Sequence, residues 1–202
     1  MNIRFCKSSL LLLACAFGLA PVGAQTSPPK PTLALSGGQP GQVVAGVRLS
    51  LSLAPSEQKN VPAFLVTFSN EGPTDVVLSL GYVLGNGRVQ LPDAMRLLVS
   101  DAKGQTRELA FSDRHHAGIR GRVDEYRVPL RAGSSFSLRL GLDKFVSTRP
   151  FEFGEQLAPG RYGAIAVFEG VSDKTRNWGR KGLSLKNYWR GEVKSNALPF
   201  TR

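Results

Sequence analysis

Cysteine is scarce in this chain of 202 residues, where only Cys6 and Cys15 occur. Both lie in a stretch that reads as a secretory signal, so the mature protein is expected to hold no disulfide, no thiolate metal site and no cysteine nucleophile. Histidine is as scarce, with His115 and His116 adjacent in one segment. Neighbouring side chains on extended backbone point to opposite sides, so the pair cannot readily close on one metal, and Arg114 and Arg120 would repel a cation. Long apolar runs are missing too. The longest, Ser9 to Ala20, is about half the ~20 residues of a transmembrane helix, so a soluble product with no transmembrane segment is expected. No stretch of helical length places apolar residues at i, i+3, i+4 between caps. Acidic residues number 15 against 26 basic ones.

What is present begins with the signal. Arg4 and Lys7 form its positive start, Leu10 to Phe17 its apolar centre, and Val22-Gly23-Ala24 a small-residue cleavage site. Residues 1–24 are therefore expected to be removed and the product to be periplasmic or secreted. Leu12-Leu13-Ala14-Cys15 also fits a lipobox, in which Cys15 would carry a lipid anchor at a membrane surface; cleavage after Ala24 is the main expectation. Removing Arg4 and Lys7 from the 26 basic residues leaves 24 against 15 acidic, a mature net charge of +9. Such a charge favours acidic partners. For an exported protein these are membrane phosphates, acidic glycans or acidic proteins, and nucleic acid is not an expected partner.

Residues 25–40 hold the tether Thr26-Ser27-Pro28-Pro29-Lys30-Pro31, extended because proline fixes φ and lacks an N–H. Residues 41–202 are expected to form one domain. Val47, Leu49, Leu51 and Leu53 alternate with polar residues, as a half-buried strand requires. Ala63 to Ser69 is apolar on both faces and reads as a central strand. Val76, Leu78, Leu80 and Tyr82 carry the next, Met95 to Val99 and Leu109 to Phe111 a hairpin around Asp101-Ala102-Lys103-Gly104, and Tyr126 to Leu130 and Phe136 to Leu142 two more. Tyr162 to Phe168 and Glu192 to Phe200 complete about nine strands. An all-β, two-sheet antiparallel sandwich is the natural closure.

Two patterns sharpen that expectation. Leu157-Ala158-Pro159-Gly160-Arg161-Tyr162 before an alternating strand resembles the tyrosine corner of immunoglobulin-like and fibronectin-type sandwiches, where the Tyr hydroxyl bonds back to nearby backbone. Trp189 to Asn196, followed by Leu198 and Phe200, resembles their final strand. The resemblance implies an immunoglobulin-like architecture, which hosts many functions. Val66-Thr67-Phe68-Ser69-Asn70-Glu71-Gly72 is similar to the strand and turn of many bacterial Ig-like modules, including a family of bacterial proteinase inhibitors. No functional residue is carried over from either likeness.

No catalytic constellation stands out and no cofactor or metal is implied. His115 beside Asp113 or Asp124 would be a general base only in an enzyme; exposed loop histidines are the simpler reading. Gly133-Ser134-Ser135 lacks the flanking glycines of a nucleophile elbow and reads as a turn. Asp124 and Glu125 diverge on a strand. The segment from Asp173 to Lys194 carries the strongest signal: seven basic residues against two acidic ones, interleaved with aromatics. Trp178, Arg180, Lys181, Lys186, Tyr188, Trp189 and Arg190 are its candidate ligand-binding residues, cations for phosphate, carboxylate or sulfate and rings for stacking. The competing reading gives the two tryptophans a packing role, with Trp189 closing the core. Arg114, Arg120, Arg122 and Arg127 form a second basic cluster whose position sequence leaves open. The expected function is a non-enzymatic binding or interaction module of the cell envelope that takes an anionic component or an envelope protein. Its alternatives are a proteinase-inhibitor or chaperone-like protein of the same fold and an envelope enzyme acting on glycans or peptides.

Overall fold

A computed structural model of the chain describes residues 41–56, 58, 61–112, 121–148, 157–170 and 187–202. Among these residues there is no α-helix, and strands follow one another in the order β1 (Val47–Ala54), β2 (Ala63–Asn70), β3 (Val76–Leu84), β4 (Val89–Leu91), β5 (Met95–Asp101), β6 (Thr106–Phe111), β7 (Asp124–Leu130), β8 (Ser135–Gly141), β9 (Phe145–Ser147), β10 (Arg161–Glu169), β11 (Glu192–Lys194) and β12 (Leu198–Thr201). The described residues thus hold twelve strands rather than about nine. β4 and β9 are three residues each, too short to display alternation. The expected last strand is broken at 195–197, where the Ser195 hydroxyl accepts from Ala166 N at 2.9 Å and donates to Asn196 O at 2.8 Å.

Three antiparallel sheets result, ordered β1-β2-β8, β4-β3-β7 and β11-β10-β5-β6-β9, with β12 also pairing β10. None is closed. The alternation read in the sequence places Val47, Leu49 and Leu51 of β1 and Phe64, Val66 and Phe68 of β2 in the core, at most 3 % exposed. The first and last sheets face one another in a sandwich-like arrangement. Phe68 meets Phe168 edge-on at 5.1 Å and Phe64 meets Phe200 edge-on at 5.3 Å, contacts of about 0.5–1.5 kcal/mol each beyond the area they bury.

A buried asparagine organises the corner. β2 with β8, and β3 with β7, form one two-stranded ribbon that changes sheets at 70–75 and 131–134. Asn70, 1 % exposed, sits at that bend. Its Nδ2 donates to Thr74 O (2.9 Å) and Leu130 O (3.0 Å), and its Oδ1 accepts from Gly72 N at 3.0 Å. Its backbone bonds Ser134 O and Gly133 N. The Gly133-Ser134-Ser135 turn is thereby fixed from both sides, with Ser134 bonded back to Arg131 O by hydroxyl and amide.

Two apolar side chains depart from the expected inward face. Leu53 is 54 % exposed, on the lining of an open cleft at the end of β1. Tyr82 is 45 % exposed, because the register of β3 on β7 shifts between Ser79 and Gly81 and the bulge turns the following residue outward. Gly81 adopts φ +141°, and an added Cβ there would strike Leu91 O and the Asp93 carboxyl, so glycine is required. No helix of the described residues is long and apolar enough to cross a membrane.

Candidate binding surface

Residues 187–189 run alongside β3: Val77 N donates to Asn187 O at 2.7 Å and Trp189 N to Val77 O at 3.0 Å. Adjacent residues of an extended segment face opposite ways, and here that alternation divides two aromatic rings between core and surface. Trp189 turns inward, is 3 % exposed, stacks on Phe168 at 5.4 Å and donates its indole N–H to Val44 O at 3.1 Å. Gly170 makes room for it, since a Cβ there would lie 2.6 Å from the indole. A ring enclosed in this way has no face to offer a ligand. The sequence candidate Trp189 is a core residue, and its place in the recognition set is corrected accordingly.

Tyr188 turns outward and is half-buried on the outer face of β3 and β7. The guanidinium of Arg127, from β7, lies over its ring at 5.7 Å, within the range of a cation–π contact. Arg127 also pairs with Glu125 two residues away on the same strand. The registers Ser79 with Arg127 and Tyr82 with Glu125 put Tyr82 on this same face. Burial is the largest influence on the Tyr188 hydroxyl and raises its pKa, with Arg127 acting against it and Glu125 with it. The result is a shallow surface of two tyrosines, one guanidinium and one carboxylate. It can stack on a planar or sugar ring and offer N–H donors to an anion, which would compete with Glu125 for Arg127.

The structure thus joins part of one basic cluster to part of the other. Arg190 is exposed beside Tyr188 in sequence. Lys194 is engaged by Glu192 at 3.1 Å, and Arg122 by Asp124 at 2.7 Å. Arg96, on the outer face of the large sheet, holds Glu108, Glu169 and Glu192 at 3.0, 3.3 and 3.1 Å. Trp178, Arg180, Lys181 and Lys186 lie outside the described residues, as do Asp113, Arg114, His115, His116 and Arg120. Asp124 and Glu125 are directed apart, each onto its own arginine.

Tyr82 and Glu125 were not among the sequence candidates. A glycine inside a strand pattern is the signal for the bulge that exposes Tyr82. Nothing in the sequence pairs Arg127 with Tyr188.

A cleft of about 890 Å³ opens at one end of the sandwich between the ends of β1, β2 and β12. Its described lining is mainly apolar, with Leu53, Val61, Leu157 and Phe200, and includes no acidic side chain or histidine. Among the described residues no three histidine, cysteine or acidic side chains are grouped as a metal site would need. Comparison with protein-family models and with curated proteins finds no match for this chain.

Proposed function

We propose that the chain is an exported, non-enzymatic binding module of the cell envelope, built as an immunoglobulin-like sandwich, that engages an anionic ligand through the outer face of β3 and β7. The observation that carries this reading is the Arg127 guanidinium held over the ring of the half-buried Tyr188, with Tyr82 on the same face. Cation and ring together suit a ligand that combines negative charge with a flat or apolar surface, such as an acidic glycan or a phospholipid headgroup. The N-terminal signal pattern and the mature charge of +9 favour such a partner. The immunoglobulin-like assignment is supported by the facing β1-β2-β8 and β10-centred sheets and by the Tyr162 hydroxyl, which donates to Ala158 O at 2.7 Å.

The test is binding of residues 25–202 to anionic lipid vesicles and to acidic polysaccharides across a salt series, beside Arg127→Ala and Tyr188→Ala. Binding that weakens with salt and with both substitutions supports the proposal. Equal binding by folded variants removes this face from it, and no binding to either ligand class overturns it.

A further inference from the structure

Edges and faces of the fold differ in how well the chain covers them. The outer edge of β1 is covered: Val47 exchanges backbone bonds with Val44, and Leu51 bonds through its N–H and C=O to the Asn196 side chain at 2.9 and 3.0 Å. On the outer face of the large sheet Val167 is buried, with Arg96 and Lys194 as its neighbours in register on β5 and β11. The outer face of β3 and β7 is different. Of four large apolar or aromatic side chains left exposed among the described residues, two lie here, Val123 at 59 % and Tyr82 at 45 %.

Strand geometry brings the two together. Residues 125, 127 and 129 of β7 are exposed and alternate with buried 126, 128 and 130, and the exposed Val123, one step before the strand, continues the outward series. Its neighbour is pinned to the loop after β3, because Arg122 N donates to Asn86 Oδ1 at 2.9 Å and Asn86 N to Arg122 O at 3.3 Å. Tyr82 is in register with Glu125, which makes Val123 its diagonal neighbour at about 7–8 Å. Farther along, Val77 is in register with Pro129 and bridges to Tyr188. A strip of apolar and aromatic side chains thus runs from Val123 to Tyr188, with the Arg127 and Glu125 pair in its middle.

We infer, on the reading of this face as the binding surface, that the strip rests on an anionic phospholipid bilayer with Val123 and Tyr82 entering the headgroup layer. Val123 offers a hydrated glycan neither a ring to stack on nor a hydrogen bond, and Arg127 already lies over the Tyr188 ring. The boundary between headgroups and acyl chains takes up an aliphatic side chain and a tyrosine alike. Charge agrees. The elements that build the face, residues 76–91, 121–131 and 187–190, carry five arginines and two acidic residues. That excess is a net charge and does not require any one arginine to be unpaired, so it draws the face toward anionic lipid even with Arg127 held by Glu125.

Residues 25–202 hold every described residue and no cysteine, so Val123→Cys carries a single environment-sensitive fluorophore. Ala102→Cys, on the exposed turn after β5, is the control position. The probes are vesicles of phosphatidylglycerol with phosphatidylcholine, vesicles of phosphatidylcholine alone, and alginate as a soluble polyuronate. The expected result is a blue shift at position 123 with the anionic vesicles alone, quenched by lipid spin-labelled near the headgroup, and none at 102. Val123→Ser leaves the core and the net charge unchanged and is expected to weaken vesicle binding about fivefold or more. Vesicle binding without a shift at 123, an equal shift at 102, or equal binding by Val123→Ser overturns the bilayer contact and leaves the anion-binding reading standing, whereas no binding to vesicles or alginate overturns both. An equal shift with phosphatidylcholine alone refutes the anionic lipid. A shift with alginate instead assigns the face to a glycan, and a concentration-dependent shift without lipid assigns it to a second copy.

Discussion

Truncating Asn70 to alanine tests whether the corner of the β2–β3 and β7–β8 ribbon is held by that side chain. Three hydrogen bonds of 2.9–3.0 Å disappear at a residue that is 1 % exposed. Each is worth about 1 kcal/mol net, and the Leu130 carbonyl, left without its side-chain partner inside the fold, adds to the loss. The expected destabilisation is about 2–4 kcal/mol, with a fall in Tm of about 6–12 °C if 3 kcal/mol is lost by a domain of this size. Urea and thermal unfolding measure it, and a loss below about 1 kcal/mol would refute the account. Asn70→Asp is the sharper companion. It keeps an acceptor for Gly72 N but sets a carboxylate oxygen against the carbonyls of Thr74 and Leu130, so the folded state favours the protonated acid. With the folded pKa above the unfolded value of about 3.9, the protonated acid's stability is kept below about pH 4 and lost as pH rises through the folded pKa. A pH-independent Asn70→Asp defect would contradict the geometry.

Three further outcomes follow from the same structure. Burial of the Asp93 carboxyl beside Gly81 is the largest influence on its pKa and raises it, against bonds from its own N–H and that of Ala94; wild-type stability should therefore fall as pH rises from about 4 through the folded pKa, and Asp93→Asn should lack that fall. Urea midpoints across that range check it, and a variant that loses ground to wild type toward neutral pH would contradict it. Glu125→Gln releases Arg127 from its ion pair and should tighten binding to anionic vesicles severalfold in a flotation assay, whereas weaker binding would show that the carboxylate itself contacts the ligand. Tyr162→Phe removes the 2.7 Å bond to Ala158 O and should cost about 1 kcal/mol in urea unfolding, with no measurable loss showing that the corner is held by packing alone.

Period-two alternation made the principal strands legible in the sequence, because one face of each is committed to the core. Val47, Leu49, Leu51, Leu78 and Leu80 are all buried as their spacing implies. Leu157 to Tyr162 likewise announced its own hydrogen bond. The site was less legible, for local reasons. A one-residue bulge at Gly81 reverses the facing of Tyr82, and alternation alone carries no mark of it. Tyr188 and Trp189 are equally aromatic and adjacent, so sequence cannot say which turns inward; Phe168 and the Val44 carbonyl decide it. Arg127 reaches Tyr188 only because β3 lies between their two segments.

The bonds that cover the edge of β1 also set the order in which the chain can be finished. Asn196 reaches Leu51 and Trp189 reaches Val44, each across 145 positions of sequence. Closing a loop of that length costs about 4 kcal/mol of chain entropy by the logarithmic law, and it cannot begin until residues 189–196 exist. A growing or emerging chain therefore carries β1 half-dressed, the backbone of Leu51 open to any passing strand, until residues 189–196 arrive as a latch. Topology of this kind predicts slow folding with a vulnerable interval near its end. The interval closes only when residues 189–196 return to β1 and the residues just before it.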